Sequence, residues 1–212
     1  TTILLRALGY SSQESLGVFF ETDTFNILEE GFSLDLIASR LRGETARFEI
    51  SDSKGNVIVE EGQRITAKHI RNMENDNIEQ LEVPLEYVCD HVTAEDIYDA
   101  ETGEILVPCN TLITEEVLEQ LRELGLESFN TIYTNDLDCG PFMSDTLNID
   151  PATNRLEALV EIYRMMRPGE PPTKEAAENL FANLFFSPER YDLTAVGRMK
   201  FNRRLGRVYE VA

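Results

Sequence analysis

Residues 52–73, DSKGNVIVEEGQRITAKHIRNM, align without a gap against residues 100–121, AETGEILVPCNTLITEEVLEQL, at an offset of 48 positions. Gly55 meets Gly103, and the apolar runs Val57–Val59 and Ile105–Val107 coincide. Gly62 meets Asn110, the side chain best able to replace glycine where φ is positive. Thr66 and Thr114 stand where a helix needs its N-cap, and Glu115 and Glu116 suit the first turn of the second helix. Apolar residues then recur at helical spacing: Ile70 and Met73 in one copy, Leu118 and Leu121 in the other, with Val117 and Leu124 beside them. A partly apolar run closes each copy, 78–83 and 126–133. The pattern predicts a hairpin, a short helix and a closing strand, twice, at about 51–84 and 99–133. Lys54-Gly55 and Thr102-Gly103 supply the hairpin turns. One such unit is too small to bury both its faces, so the two copies are expected to pack together.

Outside the repeat the periodicity is helical. Gly9 to Phe20 reads as a short helix capped by Ser11 or Ser12, with Leu16, Phe19 and Phe20 on its apolar face. A turn-rich passage from Asn135 to Pro141 precedes a strong helix at about 154–166, with Leu156, Leu159, Val160 and Tyr163 on one stripe. Pro168 ends it by steering Arg167 away from helical geometry. Thr173 caps another helix reaching about Phe185, and Leu193 to Leu205 reads as an amphipathic helix with a basic end. The class is α+β: a mainly helical body interrupted by an acidic insertion built from two tandem hairpin–helix–strand repeats.

Charge divides the chain at the same places. Of a formal net charge of −20, residues 1–20 contribute nothing, 21–139 carry 28 acidic and 8 basic side chains, and 140–212 carry 10 of each. From Arg190 to Arg207 six cations (Arg190, Arg198, Lys200, Arg203, Arg204, Arg207) face one acid, Asp192. An acidic block repels nucleic acid, whereas a basic end attracts phosphate, so two modules with different tasks are the simplest account. The 42% of hydrophobic residues suffices for a buried core in one large domain or two small ones. No apolar run is long enough for a membrane span, and the first residues form no signal peptide. The chain opens without Met on core-like residues and reads as a piece of something longer. Three widely spaced cysteines with no CxxC pair suggest a reducing compartment.

Candidate chemistry is sparse. Asp136 and Asp138, with Asp90 and Glu127, invite a metal or acid-pair site, yet the glycine and distal glutamate of a calcium loop are missing. Cys89 and His91 lie two apart, with Cys109 and Cys139 distant, so the second close pair of a zinc site is lacking. His69 aligns with Val117 and is expected on a helix face, not as a base. No GxSxG, P-loop, GxGxxG or HExxH occurs. The specific segment is 161–173, EIYRMMRPGEPPT, where a helix end carries Arg164 and Arg167 into a stiff Pro-rich corner that would aim a guanidinium at phosphate.

Two long stretches, LEALVEIYRMMRPGEPPT at 156–173 and RYDLTAVGRMKFNR at 190–203, resemble the lobe of the β subunit of bacterial DNA-directed RNA polymerase. The likeness extends through LRGET at 41–45, YTNDLD at 133–138 and ILLRAL at 3–8. It implies a lobe (β2) portion at 1–21 and 139–212, and a lineage-specific insertion at 22–138 that serves as a docking surface for secondary-channel transcription factors. It also implies DNA contacts, largely independent of sequence, from Arg167, Arg190, Arg198, Lys200 and Arg203 in the downstream channel. The implied partners are the α, β′, ω and σ subunits and promoter DNA, in the bacterial cytoplasm at the nucleoid. No catalytic residue, metal site or cofactor is expected in this stretch, because in that family magnesium is bound by another subunit. The fragment is therefore expected to be inactive alone. The alternatives are a free-standing acidic protein-interaction module and a metal-dependent hydrolase built on Asp136, Asp138 and the Cys/His set.

Overall fold

The computed structural model describes residues 1–51, 55–99, 102–190 and 192–207. The chain separates into two compact units: Thr1, Ile3–Gly9 and Pro151–Ala212 in one, and Thr2 with Tyr10–Asp150 in the other.

The larger unit is organised by a four-stranded antiparallel sheet. β1 (Thr22–Leu28) and β2 (Gly31–Asp35) form its central hairpin, while β5 (Gln80–Val83) pairs with β2 and β8 (Ser128–Ile132) with β1. Between the sheet strands lie two small hairpins, β3 (Ile50–Ser51) with β4 (Val57–Val59), and β6 (Ile97–Tyr98) with β7 (Ile105–Val107). Each is followed by a nine-residue helix, α3 (Ala67–Asn75) and α5 (Glu115–Glu123). A one-turn helix, α4 (Leu85–Val88), joins the halves. The second central strand starts at Gly31 with φ 110°, a value open to glycine and strained for other residues.

Residues from both halves meet in one core. Ile50, Val59, Ile70 and Met73 share it with Val107, Ile113, Leu118 and Leu121, and Phe25, Phe32 and Phe129 of the sheet complete it. At the paired positions Gly62 and Asn110 the backbone takes φ 78° and 64°. Asn110 does more than substitute for glycine: its Nδ2 donates to the Ser144 carbonyl at 3.0 Å and to Asn148 Oδ1 at 2.7 Å, and Ser144 Oγ donates back at 2.6 Å. Those bonds tie the second hairpin's exit to α6 (Phe142–Ile149), a helix that the local sequence pattern does not distinguish from the turn before it. Of the expected hairpin turns, Gly103 (φ 71°) donates to the Asp99 carbonyl at 2.9 Å and Gly55 has φ 81°. Lys54 lies outside the described residues.

Several expectations need correction. Gly9 does not begin a helix; at φ 107° it caps α1 (Thr2–Leu8), an element read only as core-like sequence. The next helix, α2 (Ser12–Phe19), starts after Ser11, whose hydroxyl accepts from the Glu14 N–H while the Glu14 carboxylate accepts from the Ser11 N–H. Leu16 and Phe20 are buried against Leu147, but Phe19 is 44% exposed and off the apolar face.

In the smaller unit α7 (Arg155–Met166) packs on α8 (Lys174–Phe185) through Leu159, Tyr163, Ala177 and Phe181. Asn154 Oδ1 accepts the Glu157 N–H and Thr173 Oγ1 the Ala176 N–H, so both helices start at side-chain caps. Leu156, expected on the buried stripe, is 41% exposed, and Ala158 takes its place. α1 is held to α7 within this unit: Arg6 Nη1 donates to the Thr153 carbonyl at 2.8 Å and Arg155 Nε to the Ala7 carbonyl at 3.2 Å. α9 (Ala195–Arg204), capped by Thr194, has no buried residue. It is not amphipathic as expected. At 100° per residue Val196 and Met199 fall on one side and Phe201 and Leu205 on the other.

Candidate nucleic-acid interface

The five cations singled out from sequence all belong to the smaller unit. Arg167 sits where α7 stops; its N–H donates to the Tyr163 carbonyl at 2.8 Å, and Pro168 and Gly169 (φ 90°) turn the chain back. Glu170 then faces the helix it has just left. Its Oε2 accepts from Tyr163 Oη at 2.8 Å and from Arg167 Nη1 at 3.3 Å. These bonds, the tyrosine's first, hold the Glu170 carboxyl below its ordinary range. The guanidinium carbon of Arg167 lies 5.9 Å from the Tyr163 ring centre. Arg167 thus stands in the proline-rich corner with Glu170 offsetting its charge. Both side chains remain about half exposed. Arg164 pairs with Glu161 at 2.5 Å within the helix.

Arg190 is exposed in the turn after α8, its N–H donating to the Ser187 carbonyl at 3.1 Å. Arg198, Lys200 and Arg203 project from α9, and among the described residues no ion pair engages them. Helical geometry separates them. Lys200 and Arg203 share a face, and Arg204 joins them at the i, i+4 position from Lys200. Arg198 points to the opposite side. Arg204, one of the six cations of 190–207, is not among the five DNA contacts that the resemblance implies, and its i, i+4 spacing from Lys200 is the signal that adds it.

The acids and metal-type residues of the larger unit have other occupations. Asn135 Oδ1 accepts from the N–H groups of Leu137, Asp138 and Cys139 at 2.8–3.1 Å, and its Nδ2 donates to Asp138 Oδ1 at 3.0 Å. Asp136 pairs with Arg47 at 3.3 Å, and Asp90 with the same arginine at 3.7 Å. His69 Nδ1 accepts the Thr66 N–H at 3.4 Å, a helix-start role. Burial, the largest cause, pushes the thiols of Cys89 and Cys139 up, away from the thiolate that a nucleophile or ligand requires. Among the described residues no three His, Cys, Asp or Glu side chains gather as a metal-holding group, and no helix is long and apolar enough to cross a membrane.

His91 is half-buried against the core. Its ring centre lies 5.0 Å from Phe25 and 4.8 Å from Tyr87, and because a carbonyl can only accept, Nδ1–H donates to the Tyr87 carbonyl at 2.8 Å. Burial, the largest cause, lowers its pKa from 6.5. A depressed histidine favours folding above its unfolded pKa, and that contribution is lost as pH falls through the folded value. Asp23 and Glu44, both raised chiefly by burial, run the other way: their contribution is present below about 4 and lost as pH rises. His91→Gln is therefore expected to flatten the fall of stability just below pH 6.5, read from urea midpoints across pH 5–8. An unchanged slope there would remove His91 as its source.

Two sequence stretches 89 residues apart come together beside this histidine. Tyr133 Oη donates to Glu44 Oε1 at 3.3 Å, and the Arg40 guanidinium lies 4.6 Å over the Tyr133 ring while pairing with Asp23 and Glu21. Between them opens a cavity of about 130 Å³ floored by Leu34, Ile65 and Leu81.

Residues 109–210 match the family model described as RNA polymerase Rpb2, domain 2. This stretch, a little under half of the chain, contains Arg167, Arg190, Arg198, Lys200 and Arg203, and over it the chain is similar to a domain of the second-largest subunit of RNA polymerase. The match begins at Cys109, within the stretch that the charge boundary assigns to the acidic insertion.

Proposed function

We propose that the chain is the lobe portion of a bacterial RNA polymerase β subunit, with residues 1–21 and 139–212 serving DNA and 22–138 an insertion that docks transcription regulators. The observation that carries this division is a single junction. The Tyr133 N–H donates to the Glu21 carbonyl at 2.8 Å, and Thr22 is paired with Ile132, so the acidic segment leaves and re-enters the fold at one place. A segment with adjoining ends can be added to a host domain without disturbing it. Its two halves read as copies of one unit, which the common spacing of β4 and β7, α3 and α5, and β5 and β8 supports. Its excess of acids suits basic protein surfaces and repels DNA.

Arg167, Arg190, Arg198, Lys200 and Arg203 carry the DNA reading. They are exposed and lie within the family match, and the four from Arg190 onward belong to a segment almost free of acids. Their contacts are to phosphate and indifferent to sequence. The partners are the α, β′, ω and σ subunits, promoter and downstream DNA, and secondary-channel factors in the bacterial cytoplasm. Polymerisation belongs to the assembled enzyme, whose magnesium is held by another subunit, and the fragment alone is inactive.

The test replaces 22–138 by a short Gly/Ser linker in assembled polymerase and measures basal promoter transcription and the response to a secondary-channel regulator. Near-normal basal activity with a lost response is expected. Collapse of basal transcription would overturn the division, because the insertion would then support the lobe or its DNA path.

A further inference from the structure

We propose that the cavity beneath Arg47 in the larger unit is a receptor for one arginine side chain of a protein partner. The proposal rests on the docking reading only for the partner being a protein. Size comes first: about 130 Å³ is close to the volume that admits a single benzene-sized group, which suits one side chain and excludes a nucleotide or large cofactor. Chemistry selects which side chain. Phe48 and Tyr87 meet edge to face at 4.9 Å on one wall, and aromatic walls favour a flat cation. Around the mouth, among the described residues, Glu44, Asp90 and Asp136 stand against one cation, Arg47. Glu44 is half-buried, and burial pushes its carboxyl up, the condition an incoming cation relieves.

The chain itself demonstrates the fit. Arg47 spans the rim with Nη2 3.3 Å from Asp136 and Nη1 3.7 Å from Asp90, bridging acids that come from two different segments. These separations exceed the roughly 2.7–2.9 Å of a strong charged hydrogen bond. All three side chains are about half exposed or more, so the pairing is weak and is given up cheaply. An arginine entering from a partner meets the aromatic wall as well as the rim, which Arg47 at the rim does not exploit. Lysine, a compact point charge, uses neither the flat wall nor two separated carboxylates as fully. Arg47 is thus an internal competitor for the place the partner's guanidinium takes.

The experiment titrates the full 212-residue chain with N-acetyl-arginine methylamide and, as the neutral isostere, with the citrulline analogue, following ¹⁵N–¹H amide shifts. Saturable shifts at Glu44, Phe48 and Tyr87 with arginine and none with citrulline are expected. Arg47→Ala, which removes the competitor, is expected to tighten binding about fivefold, and Asp136→Asn to weaken it by a similar factor. Equal responses to the two compounds overturn the proposal. So do shifts spread over the exposed glutamates of α5, or an Arg47→Ala affinity that is unchanged or weaker. The docking reading fails separately. A lost regulator response on replacing 22–138 without arginine binding keeps docking and removes this site; arginine binding with a normal response does the reverse.

Discussion

Phe25→Ala is expected to cost the larger unit about 3–5 kcal/mol, the largest loss of any single truncation in it. Phe25 is fully buried at the middle of β1, stacked on Phe129 at 5.7 Å and edge-on to His91 at 5.0 Å, with Tyr87 at 6.3 Å. The ring therefore touches the closing strand of the second half and the linker between the halves at once. Its removal leaves a cavity that neither can fill, because the sheet fixes β8 on one side and the Tyr87–His91 bond fixes the other. Urea denaturation followed by far-UV circular dichroism measures the loss. A cost under about 1 kcal/mol would mean that the two halves hold together without the central sheet.

The second large effect concerns α9. Neutralising Lys200, Arg203 and Arg204 together is expected to weaken the hold of assembled polymerase on promoter DNA by about 10–100-fold near 0.1 M salt, and to lower the slope of log K against log salt by about 2–3. These residues share one face of an exposed helix, so on the proposed function three phosphate contacts would be lost in a single step. Arg198→Ala, on the opposite side, should add to that loss independently. An unchanged salt slope in the triple variant would take the helix off the DNA. Reduced basal transcription with a normal slope would assign it to contacts between polymerase subunits, for which its apolar residues on two sides are also suited.

Much of this architecture is legible in the order of residues along the chain. The 48-residue offset locates α3, α5, β4 and β7, because helix caps, positive-φ positions and apolar spacing are local rules written in adjacent residues. The end of α7 at Arg167 and the start of α8 after Thr173 are equally plain, since proline geometry and threonine capping each act within one turn. The basic segment and the acidic block are matters of counting.

The hairpin of β1 and β2 is not legible in that way. Its turn, Glu29-Glu30, lacks the Asn-Gly or Asp-Gly signature, and the positive φ falls instead on Gly31, the first strand residue. Nor could sequence reveal that the closing strands of the two halves flank this hairpin instead of pairing with each other. Strand pairing depends on partners as far apart as Phe25 and Phe129, and no local rule links those positions. The same holds for the rim of Arg47, Asp90 and Asp136, which in sequence are a surface cation and two stray acids and which the fold brings to one mouth. What the sequence alone determined was the short helices and strands, their caps and the separation of charge, all of it governed by neighbours within a few residues. Which strands pair, which aromatic residue holds the halves together and which acids share a cavity were decided by the tertiary structure, because those energies depend on chain segments that only folding brings within contact distance.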